Sequence, residues 1–571
     1  GVSQTLCTAY LEPIPRATLL VRKLSRHLPY AIGAVLALSG FLALALLRGW
    51  VGAPRPVTVA VMPVSGQLPA EMPLASTAVA DALAGFLANL QGLQVVAGRE
   101  VRSVLREGMG VREAARALGV QELVEATLAP GAEPTTVRVQ ISRVEGATGR
   151  ILWSQTLEVA ATNPGLLQER VATALQDGFR RFKSRRRPRI PPQEALEAYL
   201  EVKKRLDAGT PSRSYVEELA LLEKAEAAAP DFVDALLAHA SIERFLGGNL
   251  NDPKRLQKAE ELLERAAQLD PEHPEIPLRR AQLAQARGEP EEAAQILRQL
   301  TRSRPGDPMA WRVLGTTLAQ LQQKEESEKA FARALSLQPN IVIWDQLSSA
   351  RADWGDFAGA RQAAEEILKR APNHPLGLFR LGYVAALEGD FALCEKLFSQ
   401  LYPKTNLLLD LLNWGTCAFY LGNLEKALEL YTEAQTKAPN DYRSYLNLAD
   451  TYFWLGDRQK AQLHYQKALE LLEANPHPQR YWRDRARILA HLGRLEDAVL
   501  AAQKGFEENP NRNWNAFVVA EVAALAGDKT SMMAYTRKAL QLRAPKAWFA
   551  GPKFAPYRNM PEFQALFKAS P

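Results

Sequence analysis

The stretch LGNLEKALELYTEAQTKAP, residues 421–439, contains a glycine, three apolar residues at fixed spacing and a closing proline. Counted from Gly422, these follow at +5, +9, +12 and +17, and the same spacing returns after Gly355 and Gly493. Glycine accommodates the positive backbone dihedral of a helix corner, and proline ends a helix. Small residues at +5 and +12 allow two helices to approach closely. The stretch therefore predicts a pair of packed helices.

This helix pair recurs along most of the chain. Prolines close successive copies about every 34 residues, at Pro230, Pro271, Pro305, Pro339, Pro372, Pro403, Pro439, Pro476, Pro510 and Pro545. One helix pair cannot bury its apolar face alone, so stacked copies must share a core. We therefore predict an array of about ten repeats over residues 193–545, in which the first copy is degenerate and the second carries the insertion GGNLNDPKR.

The pattern closely resembles the tetratricopeptide repeat, and YLNLADTYFWLGDRQKAQLHYQKALELL (residues 445–472) is among the best copies. The resemblance covers about 350 residues. The resemblance implies a right-handed α-solenoid. Together with the segments that precede it, we predict a mainly α chain in which one transmembrane helix and a small α/β domain come before the solenoid. Residues 546–571 break the period and are predicted to cap the open end of the array.

Tetratricopeptide arrays bind ligands mainly on the concave face formed by the first helix of each repeat, and the resemblance implies the same here. Positions predicted to line that face in residues 374–530 are aromatic or basic: Phe379, Tyr383, Phe419, Tyr420, Phe453, Trp454, Arg480, Arg483, Arg487, Trp514 and Phe517. Aromatic anchors beside a cationic wall would suit a protein or peptide with apolar side chains and an acidic end. The alternative is that the aromatics pack between neighbouring first helices.

Residues 56–182 predict an α/β domain. VTVAVMPV is a buried strand, helices are expected near 74–90 and 111–120, and the alternation in TTVRVQISRV followed by ILWSQTLEV predicts a hairpin. A closing helix is expected from about 164 to 182. VTVAVMPV, VREAARALGVQELVEATL and VRVQISRVEGATGRILWSQTLEV together resemble the domain related to the amino-terminal domain of the translocation protein TolB. The resemblance implies a binding or assembly module without catalytic residues.

A membrane anchor is predicted at residues 28–48, because LPYAIGAVLALSGFLALALL has no charge and is long enough to span a bilayer. Its length and late start disfavour a secretory signal peptide. Four basic residues precede it and two follow it, which places the basic segment 1–27 in the cytoplasm and the bulk of the chain in the periplasm. The sequence predicts a single-pass membrane protein.

The net charge of +7 is concentrated locally. Residues 1–55 carry +5 and RRFKSRRRPR, residues 180–189, carries +7, so the remainder is net negative. The basic linker, residues 183–192, could contact phosphate or anionic lipid, but a solvated linker is favoured, and no nucleic acid partner is expected.

Of three cysteines, Cys394 and Cys417 lie in predicted helices and are expected to be packed thiols rather than a disulfide.

Enzymatic motifs are missing from the sequence: there is no phosphate loop, zinc helix, nucleophile elbow or kinase signature. The seven histidines are scattered without an i, i+4 pair. We therefore expect neither catalysis, nor a metal, nor a cofactor, while the sequence allows a homo-oligomer.

Two non-enzymatic functions fit. In the first, the chain is the membrane-anchored sensory part of a signalling protein, because its domain order resembles that of bacterial serine/threonine kinases and CadC-like regulators. The initial Gly agrees with an output domain upstream. In the second, the chain is a stand-alone scaffold subunit of a membrane or envelope complex.

Overall fold

The computed structural model describes residues 56–568, except 67, 69–71, 97, 107, 185–189, 208–214, 251, 475–480, 509 and 511 and the side chains of 99, 249 and 250. Apart from Pro56, the described residues belong to one compact unit, residues 57–571. The predicted segments 1–27 and 28–48, Cys7, Arg480 and half of the basic linker, residues 185–189, lie outside the described residues.

A mixed β-sheet forms near the start of this unit. Its strands are β1 (Val57–Val61), β2 (Ser65–Gly66), β3 (Leu93–Val96), β4 (Glu122–Pro130), β5 (Thr136–Glu145) and β6 (Ile151–Ala160). The order is β3-β1-β4-β5-β6, with β2 paired to β4. Strand β1 is parallel to both of its neighbours, β3 and β4, and is mainly apolar, whereas the β4–β5 and β5–β6 pairings are antiparallel.

Four helices accompany the sheet: α1 (Ala75–Ala88), α2 (Arg99–Val104), α3 (Val111–Leu118) and α4 (Pro164–Gly178). Helices α1 and α4 share a core with the inward residues of β5, including the fully buried Val139 and Ile141. Helix α3 belongs to a separate core with Ala60 and Leu123. The elements expected from the alternation and apolar runs are present, and α2 is an addition that the sequence pattern did not predict.

Ten helix pairs follow, which confirms the mainly helical repeat fold. Their helices are α5 (Gln193–Asp207) and α6 (Val216–Ala228), α7 (Val233–Leu250) and α8 (Pro253–Leu269), α9 (Ile276–Arg287) and α10 (Pro290–Ser303), α11 (Pro308–Gln320) and α12 (Lys324–Leu337), α13 (Ile341–Asp353) and α14 (Phe357–Arg370), α15 (Pro375–Glu388) and α16 (Phe391–Thr405), α17 (Leu408–Tyr420) and α18 (Leu424–Lys437), α19 (Tyr442–Trp454) and α20 (Arg458–Glu473), α21 (Trp482–His491) and α22 (Leu495–Glu508), and α23 (Asn513–Ala526) and α24 (Lys529–Gln541).

The corner between paired helices has two chemical functions. Gly422 has φ +85 and Gly456 has φ +84, so each adopts the left-handed conformation that glycine tolerates. The next residue caps the second helix: the side chain of Asn423 accepts a hydrogen bond from Lys426 N, and that of Asp457 accepts one from Lys460 N. The Gly-Asp and Gly-Asn dipeptides therefore both end one helix and start the next.

Two details differ from the expected pattern. The insertion in the second repeat lengthens its first helix, α7, to 18 residues, and α8 begins directly after Asp252. Pro403 does not end its helix but lies inside the last turn of α16, which continues to Thr405. A proline near a helix end forfeits only one backbone hydrogen bond, so the helix tolerates it there.

The α/β portion is fastened to the array at two places. At the first repeat, Lys203 forms an ion pair with Asp81 of α1. Where the fourth repeat meets the fifth, Gln338 Nε2 donates to Leu118 O at 2.8 Å, and at the start of the sixth repeat His374 Nε2 contacts Val104 O at 2.8 Å. Ile341, Ile367 and Ala371 of the array belong to the same buried core as α3.

After α24 the chain forms what we call the C-terminal cap, residues 546–568. It contains two 3₁₀ turns (Lys546–Ala550 and Pro552–Phe554) and helix α25 (Pro561–Lys568). Its aromatic side chains Trp548, Phe549, Phe554 and Phe563 are buried in one core with α19, α21 and α23.

The predicted localisation as a single-pass membrane protein is contradicted. Among the described residues, no helix has the length and apolar character that crossing a membrane requires. The longest, α7, has 18 residues and includes Asp234, Glu243 and Arg244. The array helices bury one face against neighbours and carry charges on the other, whereas a spanning helix needs about 20 mainly apolar residues.

Candidate partner-binding surface

The first helices of the later repeats carry the residues predicted to bind a partner. We call the surface they form the first-helix face, and α15, α17, α19, α21 and α23 contribute to it. Of its predicted aromatic residues, Phe419 and Phe517 are buried and the others are half-buried, so they differ mainly in what covers them.

On α15, Phe379 and Tyr383 remain partly exposed. Their rings lie one helical turn apart and nearly parallel, with centroids 6.4 Å apart and an interplanar angle of 2°. Phe379 also packs edge-on against Phe398 at 5.8 Å. Arg380, between them in sequence, forms an ion pair with Asp345 at 2.8 Å. We call Phe379, Arg380 and Tyr383 the α15 patch.

A cross-array contact borders the α15 patch. Arg512, at the start of α23, forms an ion pair with Asp353 at the end of α13. Burial would lower the pKa of Arg512, but Asp353, with a smaller contribution from Tyr383, raises it. Residues more than 150 positions apart in sequence therefore meet beside Tyr383.

The aromatics of α17 and α19 pack mainly on each other. Phe419 is buried and lies 4.6 Å from the Trp454 ring, while Tyr420 stacks on Phe391 at 4.9 Å. Phe453 is covered by the guanidinium of Arg458, 3.8 Å from the ring centroid. These contacts agree with the alternative interpretation, in which aromatic residues of the first helices pack between neighbouring helices. The four residues concerned are Phe419, Tyr420, Phe453 and Trp454.

The aromatics of α23 are covered by the C-terminal cap. Phe517 is 1% exposed and contacts Trp548, Phe549 and Phe554 at centroid distances of 5.2, 5.2 and 6.1 Å. Trp514 packs edge-on against Trp548 at 4.7 Å. A Cβ added at Gly551 would come within 2.9 Å of Trp454, so the cap passes close to α19 as well.

Under the cap lies a network of buried charges. Arg487 pairs with Asp450, and its Nε lies 3.4 Å from Glu521 Oε2. Lys553 of the cap pairs with Glu521, and Tyr465 donates to Asp450 Oδ1 at 2.6 Å. Burial would raise the pKa of Glu521, but Lys553 and Arg487 together hold it well below its usual range. Two carboxylates and two cations thus compensate each other.

The predicted cationic wall is therefore not three free arginines. Arg487 is buried and paired, Arg483 is partly exposed, and Arg480 lies outside the described residues. The two acids that form ion pairs with Arg487, Asp450 and Glu521, come from other helices, so spacing within α21 could not reveal them. The sequence spacing could have indicated this network. Its four charged residues are separated by 37, 34 and 32 residues, about one repeat each: Asp450, Arg487, Glu521 and Lys553.

The two helical cysteines are bonded. Cys394 of α16 and Cys417 of α17 form a disulfide with their Cα atoms 5.8 Å apart, and both are buried. Packed thiols had been expected. The pairing arises because consecutive helices of neighbouring repeats bring these positions together, which the sequence separation of 23 residues does not show.

A cavity of about 520 Å³ lies where the α/β portion meets the sixth and seventh repeats. Its lining residues include Arg106, Glu113, Lys404 and Leu407.

In the described part of the chain, no group of three His, Cys, Asp or Glu side chains could hold a metal ion. The absence of a cofactor stays a prediction.

Comparisons with known proteins identify the repeats. Models of the tetratricopeptide repeat match residues 250–321, 310–341, 346–405, 412–470 and 446–512. The chain therefore contains tetratricopeptide repeats through the greater part of its helical array.

One curated relative is the protein CTR9 homolog of Arabidopsis thaliana, 24% identical over 292 residues that cover 49% of this chain and 26% of the relative. The chain thus spans about a quarter of the length of the curated relative it matches. Similar solved structures include a tetratricopeptide repeat protein from Parabacteroides merdae (19% identity, TM-score 0.36, 43% of this chain and 96% of that one). Another is the APC/C hetero-tetramer Cut9-Hcn1 (16% identity, TM-score 0.33, 71% and 83%).

Proposed function

We propose that this chain is a non-enzymatic protein-interaction scaffold that binds a segment of a partner protein on its first-helix face. One observation carries the proposal: that face already holds a segment of the chain itself. Residues from Gly551 to Tyr557 run past α19 and α23, with Phe554 in the shared core and Lys553 on Glu521. The chemistry that retains this segment, aromatic packing plus one buried ion pair, is the chemistry by which a groove retains a peptide.

The partner contacts the α15 patch. Phe379 and Tyr383 keep exposed ring area, whereas Phe419 and Phe517 are already buried. Partly exposed aromatics backed by a packed core are typical binding anchors, because little conformational entropy is lost when they are covered. Arg380 and Asp345 neutralise each other, so the patch favours an apolar anchor from the partner over an acidic one.

Site-specific photo-crosslinking tests this proposal. A photoreactive residue at Tyr383 should trap a defined protein in cells that express the full chain. The matched control is Leu463, which is 64% exposed on the second helix α20, outside the first-helix face. The same adduct at both positions, or no adduct at Tyr383, would contradict binding at the patch.

We further propose that the chain serves as the binding part of a signalling protein, with the stand-alone scaffold subunit as the second candidate. Support for signalling comes from the TolB-like resemblance of residues 56–182 together with the two contacts between this portion and the array. Such contacts allow an event at the array to reach the α/β portion. The coding region upstream of Gly1 discriminates the two: a kinase or winged-helix domain there favours signalling, and a start codon at that point favours the scaffold.

A further inference from the structure

The cavity between the α/β portion and the array is lined by three separate segments of the chain. The loop between α2 and α3 contributes Arg106 and Met109, and the loop between α14 and α15 contributes His374. The end of α16 and the loop after it contribute Lys404 and Leu407. We call this space of about 520 Å³ the junction cavity, and its volume is typical of pockets that bind small molecules.

Two cations of the junction cavity have no anionic partner. In the part of the chain that the structure describes, no carboxylate lies within ion-pair distance of Arg106 or Lys404, whereas nearby Arg370 pairs with Glu366. The guanidinium of Arg106 donates instead to Leu105 O. Partial burial lowers the pKa of Arg106, and no described acid offsets this effect. The cavity therefore holds positive charge that ion pairs do not neutralise.

Three helices begin at the junction cavity. Its lining includes Glu113 in the first turn of α3, His374 just before α15 and Leu407 just before α17. No side chain caps the start of α3 or of α17. The start of a helix carries partial positive charge and favours anions. Among the described lining residues, Glu113 is the single carboxylate, so the cations and the helix starts outweigh it.

Apolar side chains lie beside these charges. Met109, Pro372, Pro375 and Leu407 belong to the same lining, and Leu407 is 57% exposed although it is apolar. Ligand pockets commonly combine apolar walls with a few polar groups that fix the orientation of the ligand. The junction cavity has both parts, and its polar part is cationic.

We propose that the junction cavity binds a small organic anion. Its carboxylate or phosphate group contacts Arg106 and Lys404, and its apolar body covers Leu407. This site is separate from the first-helix face and does not depend on the function proposed for that face. Because Arg106 belongs to the α/β portion and Lys404 to the array, the bound anion joins the two and stabilises the contact that Gln338 and His374 make.

Isothermal titration of the full chain at pH 7 tests the chemistry of the ligand, with hexyl phosphate, hexanoate and hexanol as probes. All three share a six-carbon body, and hexanol lacks the charge. We expect at least one of the two anions to bind and hexanol not to bind, and the tighter anion identifies the head group. Binding of neither anion, or equal binding of hexanol, would overturn the proposal.

Anions without the apolar body test the contact with Leu407. Acetate and inorganic phosphate should bind at least about tenfold more weakly than their six-carbon counterparts, because each buried methylene favours binding. Equal affinities of the short and the long anions would overturn the apolar contact.

Substitution of the two cations tests the position of the site. Arg106→Gln and Lys404→Gln should each raise the dissociation constant about tenfold, because each removes a hydrogen bond to a charged group. Both side chains are exposed and form no ion pair among the described residues, so the fold should persist, which circular dichroism verifies. Lys396→Gln is the matched control, since Lys396 is exposed on the same helix as Lys404 and lies outside the cavity. Equal weakening by Lys396→Gln, or none by the two cavity variants, would overturn the proposal.

Hydrogen exchange tests whether the anion joins the two parts. The bound anion should slow exchange in α3 and at the start of α17, and leave α9 and α24 unchanged. Protection of α3 alone, or of α17 alone, would overturn the bridging arrangement.

Discussion

At the residue scale, Arg487 illustrates how a side chain expected to bind a partner can instead hold the molecule together. It lies between Asp450 and Glu521 and is almost fully buried. Without it, two buried carboxylates would share only Lys553 as a compensating cation. A buried charge that loses its partner is far more costly than a surface ion pair.

Arg487→Leu should therefore lower the free energy of unfolding by about 3–5 kcal/mol. Chemical denaturation monitored by circular dichroism measures this. Arg483→Leu on the same helix is the control and should change the value by about 0.5 kcal/mol or less. Equal effects of the two substitutions would show that the network does not stabilise the fold.

His374 gives a pH dependence to the contact between the α/β portion and the array. Burial lowers its pKa to about 4, against an ordinary value of 6.5. The unfolded chain therefore binds more protons between these values, so stability falls as the pH drops from about 6.5 to 4. A neutral ring suits the site because its Nδ1 accepts from Leu376 N while Nε2 meets Val104 O.

Protonation of this histidine in the unfolded chain should lower the free energy of unfolding by about 3 kcal/mol when the pH falls from 7 to 4. His374→Asn keeps a capping acceptor for α15 but cannot titrate, so denaturation of this variant should lose that part of the pH dependence. An unchanged pH profile would show that His374 is not responsible.

At the element scale, the C-terminal cap decides which part of the first-helix face is accessible. Deletion of residues 546–571 removes the aromatic cover of Phe517 and the cation that faces Glu521. Hydrogen exchange should then rise in α19, α21 and α23 and stay unchanged in α9 and α11. Uniform exchange across all these helices would mean that the cap does not protect the face.

The sequence predicted elements far better than the contacts between them. Glycine corners, capping acids such as Asp457 and alternating strands such as β5 are local patterns, so the helix pairs and the sheet followed from short stretches. The buried network, the Cys394–Cys417 disulfide and the position of the cap depend on packing between distant segments. Spacing within a single helix does not encode these, which is why Arg487 was taken for a binding residue.

At the scale of the whole molecule, the α/β portion and the array form one body because two separate contacts join them. Gly119 lies at the second contact with φ +65, and an added Cβ would come within 2.7 Å of Pro339 C. Gly149 has a similar φ of +79, but its surroundings are empty within 4 Å.

Comparing Gly119→Ala with Gly149→Ala therefore separates backbone strain from the contact itself. The positive φ should lower the free energy of unfolding of both variants by about 1 kcal/mol. In Gly119→Ala the clash with Pro339 should lower it by about 1–3 kcal/mol more. Thermal unfolding by calorimetry measures both. If the two variants melt alike, the contact at Pro339 contributes little.

The most direct test of the central claim is isothermal titration of the full chain with the partner trapped at Tyr383. Truncation of a binding anchor commonly costs about 2 kcal/mol, so the double variant Phe379→Ala and Tyr383→Ala should weaken binding by at least about thirtyfold. Leu463→Ala should leave the affinity unchanged. Wild-type affinity in the double variant would contradict the claim that the first-helix face at α15 binds the partner.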